Sequence, residues 1–298
     1  MYTSWQEEKE ELGKELVRLA YESRCIETIF NTKDPDKRRN GWILKNGTNS
    51  IYYINMRNAG NSAEFTSKLA YAMGRVLEEE VKYYDFDNDV LVGVDMAGIP
   101  LVSAISTAMY LKTDGRIKIK WGYTRPLPGE KVRSLEDAKK VLEELKKRKI
   151  SLGEWGTHNL VEGELSDGHR AVIVDDMVTD LTSKLIAREV IKYEAERRGI
   201  NVICDTILVG MDREQGANEA AKKEGMKLYC VIPMRSKGIA WLEDVMPPEQ
   251  FKHLRMFVDN PSLYQDIGRD PTKDKKKGKS SPLMQEALEL ASRSFQTY

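Results

Sequence analysis

Two adjacent acids at the end of an apolar run, followed by hydroxyl residues and a helix, can hold a sugar phosphate at both ends. The segment AVIVDDMVTDLTSK (Ala171–Lys184) has that order. Backbone N–H groups at a helix N-terminus, joined by the hydroxyls of Thr179, Thr182 and Ser183, make an anion site suited to a phosphate. Asp175 and Asp176 repel that phosphate but accept hydrogen bonds from sugar hydroxyls one phosphate-to-ribose length away. A plainer reading of the same residues is a strand ending in a surface acid before a Ser/Thr-capped helix. Two other phosphate cradles are missing, since no GxxxxGKS or GxxxxGKT occurs and no GxGxxG follows a strand.

Other residues suit a planar anionic ligand. Arg213 can grip a carboxylate with two parallel hydrogen bonds, and Lys45 can act as a point charge. Taken singly, Lys45 reads as an exposed turn lysine and Arg213 as a surface ion pair with Asp212 or Glu214. Tyr52 and Tyr53 alternate along a strand, so at most one stacks on a ring while the other packs inward. Gly98 would let backbone approach a pyrophosphate closely, or simply serve a strand-to-helix turn.

These residues need a frame. Apolar runs at DVLVGVD, IKIKWGY, AVIVDD, NVICDTILVG and KLYCVIP alternate with helical segments such as IPLVSAISTAMYL and SKLIAREVIKYEAERRG. That alternation predicts an α/β fold, a mainly parallel sheet flanked by helices, with ligands at the carboxyl ends of the strands. Before it come an amphipathic helix at about Ser4–Tyr21, with Leu12, Leu16 and Leu19 on one face, and a hairpin in GWILKNGTNSIYYINMR. A second helix is expected over about Ala63–Val81. Ser134–Lys149 reads as a charged helix inserted between strands, with a Ser N-cap. Residues 266–282 read as a lysine-rich linker, and 283–298 as a detached amphipathic C-terminal helix.

Composition narrows the class. Lys plus Arg and Asp plus Glu number 47 each, which predicts no general affinity for nucleic acid. KDKKKGK (Lys273–Lys279) reads as a solvated linker, without a helix-turn-helix pattern beside it. Cys25, Cys204 and Cys230 are odd in number and widely spaced, which excludes a disulfide framework and zinc spacings and suits a reducing cytosol. His158, His169 and His253 lack metal-ligand spacing. No apolar run reaches membrane-span length, and MYTSWQEEKEELGKE is too acidic for a signal peptide. A soluble cytoplasmic protein is expected.

VIVDDMVTDLTS resembles the ribose-phosphate signature of the type I phosphoribosyltransferases. From the first helix to about Tyr264 the chain resembles one branch, the orotate phosphoribosyltransferases. GWILKNGTNSIYYINMR is similar to that branch's base-holding hairpin, which implies Lys45, Tyr52 and Tyr53 as base contacts. LVGVDMAGIPLVSAIS is similar to its pyrophosphate loop, here Asp95, Met96, Ala97 and Gly98. ILVGMDREQGANEAAKKEG resembles the strand that presents an Arg to the orotate carboxylate, here Arg213. GTHNLVEGEL resembles the end of the mobile catalytic loop, and the resemblance makes Arg125, Lys131 and His158 its catalytic residues.

The resemblance implies a phosphoribosyltransferase domain over residues 1–265, interrupted at 134–149, with a hood built from the hairpin and Lys237–Tyr264. Phosphoribosyl pyrophosphate would sit on Asp175, Asp176, Thr179, Asp180, Leu181, Thr182 and Ser183. The reaction would move its phosphoribosyl group to orotate or a related base, giving orotidine monophosphate and pyrophosphate for pyrimidine synthesis. Mg²⁺ would be held by substrate, with Asp175 the protein carboxylate in reach, and the enzyme would be a homodimer with shared sites.

Three departures from the family pattern stand out. Asp180 and Leu181 replace a small or hydroxyl residue and a Gly in the phosphate turn, adding like charge and removing φ > 0 freedom. The loop begins TRPLPGEK and carries the extra helix, and Ala97 stands where a Lys is frequent. These departures sustain a rival expectation, a non-catalytic relative that senses phosphoribosyl pyrophosphate or a nucleotide.

Overall fold

Hydrophobic runs too short for helices have to be covered on both faces, and here a sheet and its helices cover them. The computed structural model describes residues 4–44, 47–128, 132–148, 159–267 and 279–294. Contacts divide the chain into two units, Met1–Leu12 with Thr66–Met234 and Gly13–Phe65 with Arg235–Tyr298.

The second unit begins within α1 (Trp5–Glu22), whose Leu16, Val17, Leu19 and Ala20 are buried as the helical spacing requires. It continues through β1 (Ile26–Thr28), α2 (Pro35–Asn40), β2 (Trp42–Ile43), β3 (Asn49–Ser50) and β4 (Tyr52–Ile54). The expected single hairpin is split. Strands β2 and β3 pair across the turn, whereas β4 leaves them and pairs antiparallel with β1. The break lies at Ser50, whose hydroxyl donates to the Tyr52 carbonyl (2.6 Å) and bends the chain between the two ladders.

The first unit carries α3 (Ala63–Glu79), β5 (Val90–Gly93), α4 (Gly98–Lys112), β6 (Lys120–Thr124), α5 (Leu135–Arg148), β7 (Val161–Gly163), β8 (Arg170–Val178), α6 (Thr182–Arg198), β9 (Ile203–Asp212), α7 (Ala217–Lys223) and β10 (Lys227–Pro233). The sheet order is β10-β9-β8-β5-β6-β7, parallel except for β7, which runs antiparallel on the edge. Central strands are apolar throughout, as two-sided burial demands: Val90–Gly93 and Ala171–Val174 have no exposed residue. Strand β7 falls where a loop end was expected. The inserted helix α5 buries Ala138 and Leu142 and packs on α6, with Lys146 bridging to Glu196 at 2.6 Å. Strand β8 runs two residues past its acid pair, because Met177 and Val178 pair with Met211 and Asp212 of β9.

The second unit resumes with α8 (Ile239–Trp241), α9 (Pro248–Asp259) and α10 (Pro282–Arg293). The hairpin region and the C-terminal segment pack together, as expected for the parts of a hood. The side-chain amide of Gln265 brackets Asn49, accepting from its N–H at 2.7 Å and donating to its carbonyl at 3.0 Å. The Tyr52 ring meets Phe257 edge-on. Helix α10 is not detached. Its Met284, Ala287 and Ala291 are buried, and it packs on α2 and α9. Ser281 caps it, accepting from the Met284 N–H and donating to the Leu263 carbonyl. An apolar stripe on a helix needs a partner surface, and this one finds it within its own unit.

Candidate functional site

Successive residues of a strand point to opposite faces, so Asp175 and Asp176 cannot share one environment. Asp175 is buried, with Oδ2 2.6 Å from the ammonium of Lys184 and Oδ1 accepting the Asp176 N–H. Lys184, on the first turn of α6, also donates to the Met177 carbonyl at 2.6 Å. Asp176 is half-buried and, among the described residues, has no such bond to a cation. Burial and then the neighbouring Asp175 carboxylate push its carboxyl up to about 6, against the weaker pull of Lys184. A cation, the Lys184 ammonium, therefore already sits on one oxygen of Asp175.

The turn after β8 answers both doubts raised by its sequence. Leu181 has φ −87° and ψ −4°, an ordinary right-handed conformation, and its side chain lies in the core beneath the turn. No φ > 0 is needed there, so Leu replaces Gly without strain. Asp180 is exposed, and its Oδ1 accepts the Thr182 N–H at 2.9 Å. An internal carboxylate thus already occupies one of the donors that a phosphate would use. Asp180→Ser is expected to raise affinity for inorganic phosphate or a ribose phosphate roughly five- to tenfold at low salt, by calorimetry. Unchanged affinity would mean that the carboxylate swings clear of the ligand.

Beside the acids lies the loop from Val94 to Gly98. The Val94 N–H donates to the Val174 carbonyl, and the Asp95 N–H donates to Thr124 Oγ1 at 3.2 Å. Burial raises the Asp95 carboxyl. Met96 is exposed, the Asp95–Met96 peptide is cis, and Ala97 precedes the first turn of α4. A Cβ on Gly98 would stand 2.3 Å from the Val174 carbonyl oxygen and 3.0 Å from Gly93. This glycine is therefore required by strand packing, whatever ligand lies above it. Gly98→Ala should cost about 3 kcal/mol, near the top of the usual overpacking range, read by urea unfolding.

Arg213 directly follows β9, with its N–H on the Val178 carbonyl. Its Nε is buried and has no hydrogen-bond partner among the described residues. Among the described residues it forms no ion pair, and the neighbouring Asp212 accepts the Glu214 N–H (2.7 Å). A buried, unanswered guanidinium donor suits an arriving carboxylate.

A profile of the phosphoribosyl transferase domain matches residues 63–224, more than half of the chain. The orotate phosphoribosyltransferase of Pyrococcus furiosus is 30% identical over 222 residues, covering 74% of this chain and 92% of its own. The chain belongs to the phosphoribosyltransferase family. The orotate phosphoribosyltransferase of Pyrococcus abyssi is 29% identical over the same shares. Among solved structures, Leishmania donovani UMP synthase superposes with a TM-score of 0.53 at 23% identity. That match covers 84% of this chain and 42% of the synthase.

The remaining family positions of this phosphoribosyltransferase lie on both units. In the first, Arg125 follows β6, its N–H on the Leu160 carbonyl and its guanidinium 3.1 Å from Glu162 of β7. The two ends of the expected catalytic loop are thereby tied at its base. A cleft of about 510 Å³ opens beside it, lined by Asp95, Thr124, Arg125 and Ser183 and by apolar residues of α6. Lys131, His158 and Lys45 lie outside the described residues. In the second unit Tyr52 packs inward on Phe257, whereas Tyr53 is 41% exposed and stacks on Trp42. The sequence reading missed Lys184 and Trp42. Lys184 heads the buried stripe of α6 that continues through Ala187 and Ile191, and a lysine in that register was the available signal.

Proposed function

We propose that this chain transfers the 5-phosphoribosyl group of phosphoribosyl pyrophosphate to orotate, yielding orotidine monophosphate and pyrophosphate in pyrimidine synthesis. The carrying observation is the Asp176 carboxylate, half-buried beside a phosphate-type turn and without a hydrogen-bonded cation among the described residues, within a chain of this family. The orotate phosphoribosyltransferases among its relatives support the choice of base.

In this reading the 5-phosphate lies on the N-terminal turn of α6, with the hydroxyls of Thr179, Thr182 and Ser183 as donors. Asp176 accepts hydrogen bonds from the ribose hydroxyls, and the Asp95–Gly98 backbone borders the pyrophosphate. Arg213 takes the orotate carboxylate. A ring nitrogen of orotate then bonds to C1 while the C1–O bond to pyrophosphate breaks. The chain's part is to hold both reactants in line and to meet charge on the leaving group, where Arg125 with Lys131 and His158 would act. Mg²⁺ would enter with the substrate beside the acid pair Asp175 and Asp176, and would supply further charge neutralisation. A homodimer in the cytoplasm accompanies the family reading.

The Asp180 carboxylate on the Thr182 N–H favours one alternative, a sensor that binds nucleotide or phosphoribosyl pyrophosphate without turnover. The deciding experiment measures pyrophosphate release with Mg²⁺ across a panel of bases, orotate first. Release with orotate supports the enzyme. Binding without release for every base supports the sensor.

A further inference from the structure

A lysine buried at the head of α6 is not needed to build a helix, and its stem displaces an apolar residue that would pack there at less cost. The Lys184 side chain is 4% exposed, and its ammonium touches two groups of β8: Asp175 Oδ2 at 2.6 Å and the Met177 carbonyl at 2.6 Å. These contacts straddle Asp176. On one side Asp175 has one oxygen on Lys184 and the other on the Asp176 N–H. On the other, the Met177 N–H donates to Asp176 Oδ1 at 2.6 Å.

We propose that Lys184 is a positioning residue of the ribose site: it engages Asp175 from inside the fold and leaves Asp176 as the carboxylate that meets the ribose. This rests on the phosphoribosyltransferase reading above and divides its acid pair into an anchor and a contact. Adjacent carboxylates repel, and the pair stays ionised together only if a cation offsets one of them. Lys184 is the cation that does so from α6. Among the described residues, other ionisable groups at this end of the sheet include Asp180 on the turn, Asp95 on the β5–α4 loop, Arg125 after β6, Asp212 at the end of β9, and Arg213 and Glu214 after it. Asp180 and Asp212 carry charge of the same sign as the pair and accept the Thr182 and Glu214 N–H groups.

The test compares wild type with Lys184→Met, Lys184→Arg and the double variant Lys184→Met/Asp175→Asn. Two readouts are taken: carbon-13 titration of the Asp176 carboxyl without ligand, assigned against Asp176→Asn, and the pH dependence of phosphoribosyl pyrophosphate binding with Mg²⁺. Lys184→Met should move the Asp176 midpoint up by roughly one pH unit, the low end of what losing a nearby opposite charge does to a carboxyl. The acid limb of ligand binding should follow it. Lys184→Arg should restore part of the shift. The double variant removes both charges, so it keeps the inference testable if Lys184→Met fails to fold, and its midpoint should fall below that of Lys184→Met or, in its absence, below wild type. A lysine that only fills space would lower the melting temperature and leave both midpoints where they are in wild type, and that result overturns the proposal. Failure of wild type to bind ligand would instead overturn the functional reading, while the carboxyl titration still decides the role of Lys184.

Discussion

Asp176→Asn should weaken phosphoribosyl pyrophosphate binding roughly 10- to 100-fold and at the same time make the protein more stable at neutral pH. The binding loss follows from replacing charge-assisted hydrogen bonds, worth about 1.5–3 kcal/mol, with weaker neutral ones. The stability gain follows from proton linkage. The folded Asp176 carboxyl keeps its proton up to about 6, well above its ordinary 3.8. Between those values the folded state binds more protons than the unfolded one, so stability falls as pH rises through this window. Above about 6 the cost is complete, and Asn removes it. With solvent screening at a half-buried group, that cost is on the order of 1–2 kcal/mol, or a few degrees in melting temperature. Below pH 4 wild type and variant should melt alike. Calorimetry with Mg²⁺ gives the first quantity, and melting curves at pH 7.5 and below 4 give the second. A variant that binds normally, or that is less stable at neutral pH, would show that Asp176 is a structural cap.

Arg213→Ala should lower kcat/KM for orotate roughly 10²- to 10³-fold, the loss of two charge-assisted bonds to one carboxylate. The larger signature is in selectivity. Uracil lacks the carboxylate, so its rate should change little and the preference for orotate should collapse. Arg213→Lys keeps the charge without the two-pronged geometry and should fall between, mainly through a higher KM for orotate. The buried Arg213 Nε without a partner is the basis for this expectation. An equal loss for both bases would place Arg213 in the fold, holding the end of β9, and not against the base.

Much of the scaffold was legible because its code is local. Apolar runs at Val90–Gly93 and Ala171–Val174, each followed by a helical period, specify central parallel strands wherever they occur. The acid pair and the hydroxyl turn could be read for the same reason, since their geometry depends on a strand and a helix joined by a few residues. The alternation of Tyr52 and Tyr53 fixed that only one faces inward, although not which.

What sequence could not supply was the identity of distant partners. An amphipathic stripe on α10 states that a surface is needed, but only the fold supplies α2 and α9 as that surface. Leu181 looked like the loss of a glycine until the backbone took φ −87° and the side chain went into the core. Val161–Gly163 is too short to announce itself as a strand, and β6 makes it one by offering an open edge. Lys184 and Asp175 are nine positions apart, and nothing local says that the chain folds one carboxylate of the pair onto a buried ammonium. Periodicity reports which face of an element is apolar. The tertiary structure decides what meets that face, because the partners come from parts of the chain whose separation carries no local signal.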